Sequence, residues 1–247
     1  MEPAITPETI AERPPTDPVA LSNDSYDLRR PVAPMWHLAV VLILQLIVSY
    51  RGQARVQQLQ VPGEIHRIAL YERTILTEFV MLFLVLAGVW WHGSSIFTVL
   101  GKRWKSLADF GRDFAIGVGF LVVAIMIGSI LNHGGDRSAT RLILPQGRTE
   151  MWIWTALALT AGICEEALFR GYLQRQFMTI TKSAPAGIVL SAILFGAAHA
   201  YQGIARAAQI SILGLLAGIL AYRCKSVRPG MIAHAMQDIL GGLIQHS

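Results

Sequence analysis

Apolar residues fall in seven runs along this chain, near 35–50, 74–91, 114–132, 151–175, 186–201, 207–222 and 230–245, with polar residues gathered between them. Unbroken apolar runs of this length read as helices rather than alternating strands, and a bilayer crossing needs about 20 such residues. Ser183 and Pro185 suit the cap and first turn of the fifth helix, and Pro229 suits the start of the seventh. Gly214 and Gly218, in GLLAG, put small residues one turn apart and predict close helix packing. The pattern predicts an all-α, polytopic transmembrane helix bundle of about seven spans, with its few polar groups enclosed in an intramembrane cavity.

Composition agrees. Of 247 residues, 53% are hydrophobic and 15% charged, and mean hydropathy is +0.46. Soluble domains carry about 25% charged residues, so a water-soluble protein is the poorer reading. Residues 1–34 follow a different regime, with seven of the eleven prolines, six acids and three arginines. That stretch reads as a disordered polar tail, leaving 35–247 as the helical domain. No apolar run follows Met1, so the first span is expected to be an uncleaved anchor rather than a signal peptide. Cys164 and Cys224 lie in or beside apolar runs and suggest no disulfide framework.

With seven spans and counting from Arg29 onward, eleven Lys and Arg fall on the side of the N-terminus and eight on the other. Positive loops favour the cytoplasm, so the N-terminus is expected inside. Topology thus accounts for the net charge of +5, and no module or aromatic platform for nucleic acid is present. The partners expected are the lipid bilayer and a substrate that reaches it.

The acids are informative. Sixteen Asp and Glu occur, but after Glu150 only Glu165, Glu166 and Asp238 remain, with His199, His234 and His246. A charge near a bilayer centre costs about 3 kcal/mol on insertion scales, so such residues face a protein interior and serve function. Residues four apart share a helix face, and residues five apart diverge by about 140°. Glu166 is therefore a neighbour of Arg170, forming a structural ion pair, while Glu165 points elsewhere, past Ala161 and Gly162, which leave room for water or substrate. Phe195 pairs with His199, and His234 with Asp238. A convergent set of Glu165, His199, His234 and Asp238 results. Carboxylate and imidazole can deprotonate a shared water, and a second imidazole can stabilise an oxyanion. Cys164 lies about 100° round the helix from Glu165 with no base of its own, which argues against a thiol mechanism.

The motifs E-E-x-x-x-R (Glu165, Glu166, Arg170), F-x-x-x-H (Phe195, His199) and H-x-x-x-D (His234, Asp238), in successive hydrophobic helices, resemble the CAAX-protease and bacteriocin-processing (CPBP) family of intramembrane endopeptidases. The resemblance covers residues 150–242. It implies an intramembrane catalytic cavity, a water activated by Glu165 with His199, and an oxyanion site formed by His234 and Asp238. Asp238 stands where the best-studied eukaryotic-type members of the family have asparagine. An ionised aspartate repels an oxyanion, so Asp238 must be protonated, orient His234 or bind metal. Glu165, His199, His234 and Asp238 could also ligate Zn²⁺. The absence of H-E-x-x-H favours the glutamate-type, metal-free mechanism.

Other polar residues carry plainer expectations. His37, His66, His92, His133 and His246, at run ends or in loops, are read as interfacial; Glu78, one turn into the second run, as snorkelling or meeting a loop arginine ahead of a supporting role at the site; and Arg206 as a loop charge ahead of a partner for a substrate carboxylate. The six tryptophans read as an interfacial belt. The competing function is a non-proteolytic scaffold or immunity protein using the polar set as a structural network. Such a network needs Glu166 with Arg170 but not an additional Glu165. Nothing in the chain selects among a prenylated C-terminal peptide, a bacteriocin leader and a membrane-protein tail as substrate.

Overall fold

In the computed structural model, which describes residues 30–59, 66–101, 103–131 and 138–244, all seven apolar runs are helical, and no strand occurs among the described residues. In chain order the helices are α1 (Met35–Leu59), α2 (Arg67–Trp91), α3 (Phe97–Leu100), α4 (Leu107–Leu131) and α5 (Ser138–Ile143). α6 (Arg148–Glu166) runs through a π-helical turn, Ala167–Leu173, into α7 (Gln174–Thr181); α8 (Ala184–Ala198), α9 (Ile204–Cys224) and α10 (Arg228–Ile244) follow.

The expected count of about seven spans is not reached by length and apolarity. Five described helices qualify: α1, α2, α4, the continuous Arg148–Thr181 helix and α9. α8 has 15 residues and α10 has 17, about 22 and 26 Å at 1.5 Å per residue, against a hydrocarbon core of about 30 Å. Both pack within the bundle, α8 along α9 and α10 between α6 and α4.

Two sets of contacts define the ends of the bundle. At the first, which we term the near face, Arg175 Nη1 donates to Thr98 O at 2.5 Å and Arg228 Nη2 to Gly101 O at 3.0 Å. The Arg228 guanidinium also lies 4.5 Å from the centre of the Trp104 ring. At the far face, Arg67 Nε donates to Leu142 O at 3.0 Å and Tyr71 Oη to Ile143 O at 2.6 Å. The near half is the packed half. Val32, Ala33, Leu38, Val41, Val85, Val89, Val99, Tyr172 and Leu173 form one buried cluster there.

Residues 1–29 of the expected tail lie outside the described residues. The described end of that stretch is held against α7. Gln176 accepts from Val32 N at 3.0 Å and donates to Ala33 O at 2.9 Å, while Thr179 Oγ1 donates to Arg30 O at 3.4 Å. A side-chain amide matched to a peptide's donor and acceptor can hold an irregular segment inside a fold.

Three sequence expectations are corrected. His37 is not interfacial: it is 2% exposed, with Nδ1 2.7 Å from Tyr172 Oη and Nε2 3.1 Å from Leu84 O. It seats against Gly88, where a side chain would collide with the imidazole ring. Trp154 leaves the aromatic belt; its indole Nε1 donates to Asp238 O at 2.9 Å, tying α6 to α10. Trp36, Trp90, Trp91 and Trp152 are exposed at 61–79%, as an apolar surface against lipid allows. Gly162 leaves no room for water, because α10 fills the space. A β-carbon there would stand 2.8 Å from Ala235 N and 2.9 Å from Met231 O. His133 and His246 lie outside the described residues.

This close approach gives a test. Gly162→Ala should lower stability by about 1–3 kcal/mol, the usual range for overpacking, read as a lower melting temperature in detergent. Gly119→Ala, on α4 with nothing within 4 Å of its β-carbon, should leave melting unchanged or raise it, since alanine is the better helix former.

Candidate functional site

The far half of the bundle holds a cavity of about 460 Å³. Its polar lining includes Glu78 of α2, Glu165 of α6, His199 at the C-terminal cap of α8, and His234 and Asp238 of α10. The structure therefore brings together all four residues of the convergent set.

Glu165 and Glu166 close α6 where the π-helical turn begins, and every residue of that turn is buried. A helix apolar on all sides belongs inside a bundle, and π-helical turns recur at functional sites. Arg170, on the same turn, places Nη1 2.8 Å from Glu166 Oε1, with the two side chains 2% and 3% exposed. The guanidinium also donates to Gly214 O at 3.3 Å and stacks on Phe195, 4.1 Å from the ring centre. A β-carbon at Gly214 would lie 3.2 Å from Arg170 Nη2, so the small-residue face of α9 is the seat of this arginine. One turn on, Gln174 Nε2 donates to Gly218 O at 3.1 Å.

Glu166 has a second partner. His234 Nδ1 stands 3.3 Å from the same Oε1. A carboxylate oxygen accepts, so His234 donates through Nδ1–H and turns Nε2 toward the cavity. Gly230 makes space beside Glu166; a β-carbon there would lie 2.8 Å from Oε2.

His199 is oriented by its own helix end. Its Nδ1 is 2.8 Å from Phe195 O, a carbonyl that can only accept, so Nδ1 carries the proton and Nε2 faces the cavity. Glu165 Oε2 then lies 3.8 Å from His199 Nε2 and 3.8 Å from His234 Nε2. Asp238 Oδ2 lies 3.6 Å from His234 Nε2. These separations exceed a direct hydrogen bond, and Glu165 Oε2 is buried with no hydrogen-bond partner. Phe195 forms the aromatic floor, its ring centre 4.8 Å from His199 and 6.0 Å from His234.

Two lining residues escaped the sequence reading. Glu78 points into the cavity rather than snorkelling; the signal was a lone acid inside the apolar run of α2. Tyr201, its ring 5.9 Å from His199, had no spacing signal, because it sits in the turn after α8. Arg206 lines the cavity and donates to Gln209 Oε1 at 2.5 Å, and Gln209 donates on to Gly128 O at 2.8 Å. Among the described residues, no group of three His, Cys, Asp or Glu side chains is arranged to hold a metal ion.

Residues 147–240 match the family model described as type II CAAX prenyl endopeptidase, Rce1-like. That stretch contains all seven motif residues and leaves α1, α2 and α4 outside it. No curated protein and no solved structure matches the chain.

The paired charges generate a prediction about folding. Glu166→Gln leaves a buried guanidinium without its counter-charge, which costs about 3–5 kcal/mol when a buried pair is broken. Poor expression or a lower melting temperature in detergent should follow. Glu166→Gln combined with Arg170→Met removes both charges and should recover much of the loss; no recovery would show that Glu166 stabilises the fold by another route.

Proposed function

We propose, from the match of residues 147–240 to the Rce1-like family model, that the protein is an intramembrane endopeptidase that cleaves a peptide bond with an activated water. The observation that carries this reading is Glu165 Oε2, buried without a hydrogen-bond partner and 3.8 Å from the Nε2 atoms of two histidines. A water held there contacts carboxylate and imidazole together. Glu165, assisted by His199 through its unprotonated Nε2, takes the proton as the water oxygen attacks the substrate carbonyl. The oxyanion that forms is met by His234 as the imidazolium, which donates through Nε2–H while its Nδ1–H is held by Glu166. The proton taken from water then passes to the leaving amine. Asp238, 3.6 Å from His234 Nε2, orients that ring from its other side. Glu166 and Arg170 act one layer out as positioning residues. No step of this reading uses a metal.

Three variants and one treatment test the reading in a defined peptide assay. His199→Ala should melt normally and lose about 10²–10⁴-fold in turnover, the usual contribution of a general base; intact turnover would remove His199 from the mechanism. Glu165→Gln, nearly isosteric, should insert and melt as the parent does while losing turnover. Asp238→Asn should keep or raise activity, because an amide can donate to an oxyanion without repelling it. Chelation should leave the purified enzyme active. Activity lost on chelation and restored by Zn²⁺ would replace the glutamate-type mechanism with a metal-dependent one. New peptide termini in membranes carrying the parent chain, missing with Glu165→Gln, would identify substrates.

A further inference from the structure

Glu78 stands near the middle of the 25-residue α2, one of the helices long and apolar enough to cross a bilayer. That is the costliest depth for an ionisable side chain, and an acid kept there faces a protein interior or cavity and serves function. Glu78 lines the same cavity as Glu165, His199, His234 and Asp238. α6, which carries Glu165, packs on α2 as well as on α10, and the charges of Glu165 and His234 act on the Glu78 carboxyl. Among the described residues, however, no hydrogen bond or ion pair holds that carboxyl. It does not join helices as Glu166 does through Arg170.

Its neighbours on the same wall are differently placed. Gln45, Ser49 and Gly52 recur at helical spacing on one face of α1, and Tyr71, Thr74 and Glu78 on one face of α2. Thr74 Oγ1 and Thr77 Oγ1 donate to Leu70 O and Arg73 O at 2.9 and 2.7 Å. Tyr71 Oη donates to Ile143 O at 2.6 Å, and Gln45 Nε2 to Ser49 Oγ at 3.5 Å. These groups answer to the protein itself. Glu78 offers the cavity a strong acceptor that no protein donor occupies.

A peptide held at this depth brings N–H and C=O groups that have lost water and must be met inside the protein. In the proposed reaction His234 meets the scissile carbonyl, and Glu165 with His199 meets the water. The N–H groups beside that carbonyl find no acceptor in this set. A carboxyl group presents an acceptor oxygen whether ionised or protonated.

We infer that Glu78 is a substrate-binding residue, whose carboxyl accepts from a backbone N–H of the bound peptide and fixes the chain beside Glu165. The cavity, at about 460 Å³, falls in the range of small-ligand pockets, so a few residues of extended chain are held. Recognition of the substrate thus draws on α2, outside the matched residues 147–240. Calling the bound peptide a substrate rests on the hydrolase reading; its dependence on Glu78 for binding does not.

The test separates binding, turnover and folding in the full chain in detergent. Glu78→Met removes the acceptor, Glu78→Gln keeps one, and Glu72→Met is the control, an exposed acid of α2 outside the cavity lining. Glu78→Met should melt at or above the parent, because no partner is lost; Glu78→Leu replaces it if it fails to fold. Lower melting in Glu78→Met, Glu78→Leu and Glu78→Gln alike assigns Glu78 a structural role and overturns the inference. Binding is read on a Glu165→Gln background with a pool of random octapeptides, each carrying one cysteine, free or S-farnesylated. Peptides retained through rapid gel filtration are counted by mass spectrometry. Retention should fall about tenfold with Glu78→Met, the usual worth of one hydrogen bond, and stay within about threefold with Glu78→Gln or Glu72→Met. Against the best-cleaved peptide of the pool, Glu78→Met alone should raise KM about tenfold and leave kcat within about threefold. Retention indifferent to Glu78, or no peptide retained by any variant, overturns the inference. Cleavage by the parent with retention indifferent to Glu78 leaves the hydrolase standing without this residue. Retention that depends on Glu78 with no new termini from the parent upholds the binding role and removes the hydrolase instead.

Discussion

A single carboxylate oxygen, Glu166 Oε1, organises the interior of this protein. It receives Arg170 Nη1 at 2.8 Å and stands 3.3 Å from His234 Nδ1. Charges this deeply buried are tolerated only when paired and hydrogen-bonded, and meeting that demand shapes four helices. α9 presents Gly214, whose carbonyl accepts from Arg170 and whose lack of a side chain lets the guanidinium approach. α8 supplies the Phe195 ring beneath the cation. α10 supplies Gly230 beside the carboxylate and His234 against it. The π-helical turn carries Arg170 itself. The small residues at these crossings are thus consequences of one ion pair rather than independent packing choices.

The same demand divides the bundle into two halves. On the near side of Glu166 the helices close on an apolar cluster that takes in Val32 and Ala33 of the segment held by Gln176, with His37 beside it bonded to Tyr172. On its far side they separate around the cavity. A rigid half supporting an open half is what a site needs when side chains must be held to within a fraction of an ångström. His199 and His234 illustrate the result: each is fixed through Nδ1 by a protein acceptor, leaving both Nε2 atoms turned to the same space.

Much of this was legible in the sequence, and the part that was not has a common cause. The helical runs, the Ser183 cap with Pro185, and the meeting of Glu166 with Arg170 all follow from composition and the 3.6-residue period, which relate residues within one helix. His37, Trp154 and Gly162 were misread because each answers to a partner on another helix: Tyr172 and Leu84, Asp238, and Ala235 respectively. Periodicity carries no information about such contacts. Glu78 was half legible, since an acid in an apolar run signals a buried role, but its destination beside Glu165 depends on how α2 packs on α6. The π-helical turn left no mark in ALFRGYL, whose residues suit an α-helix equally well. The shortness of α8 and α10 against a bilayer was visible in the runs themselves, and the count of spans suffered from treating every run as a full crossing.

The two adjacent glutamates now divide in a way that the motif alone does not explain. They differ by one position, about 100° of helix rotation, and that rotation decides everything about them. Glu166 is turned toward Arg170 and His234 Nδ1, both of which meet its Oε1. Glu165 is turned into the cavity, where the residues facing Oε2 stand 3.8 Å away and none donates to it directly. Glu166 Oε1 engages Arg170 and His234 Nδ1, while Glu166 Oε2, like Glu165 Oε2, is buried without a hydrogen-bond partner.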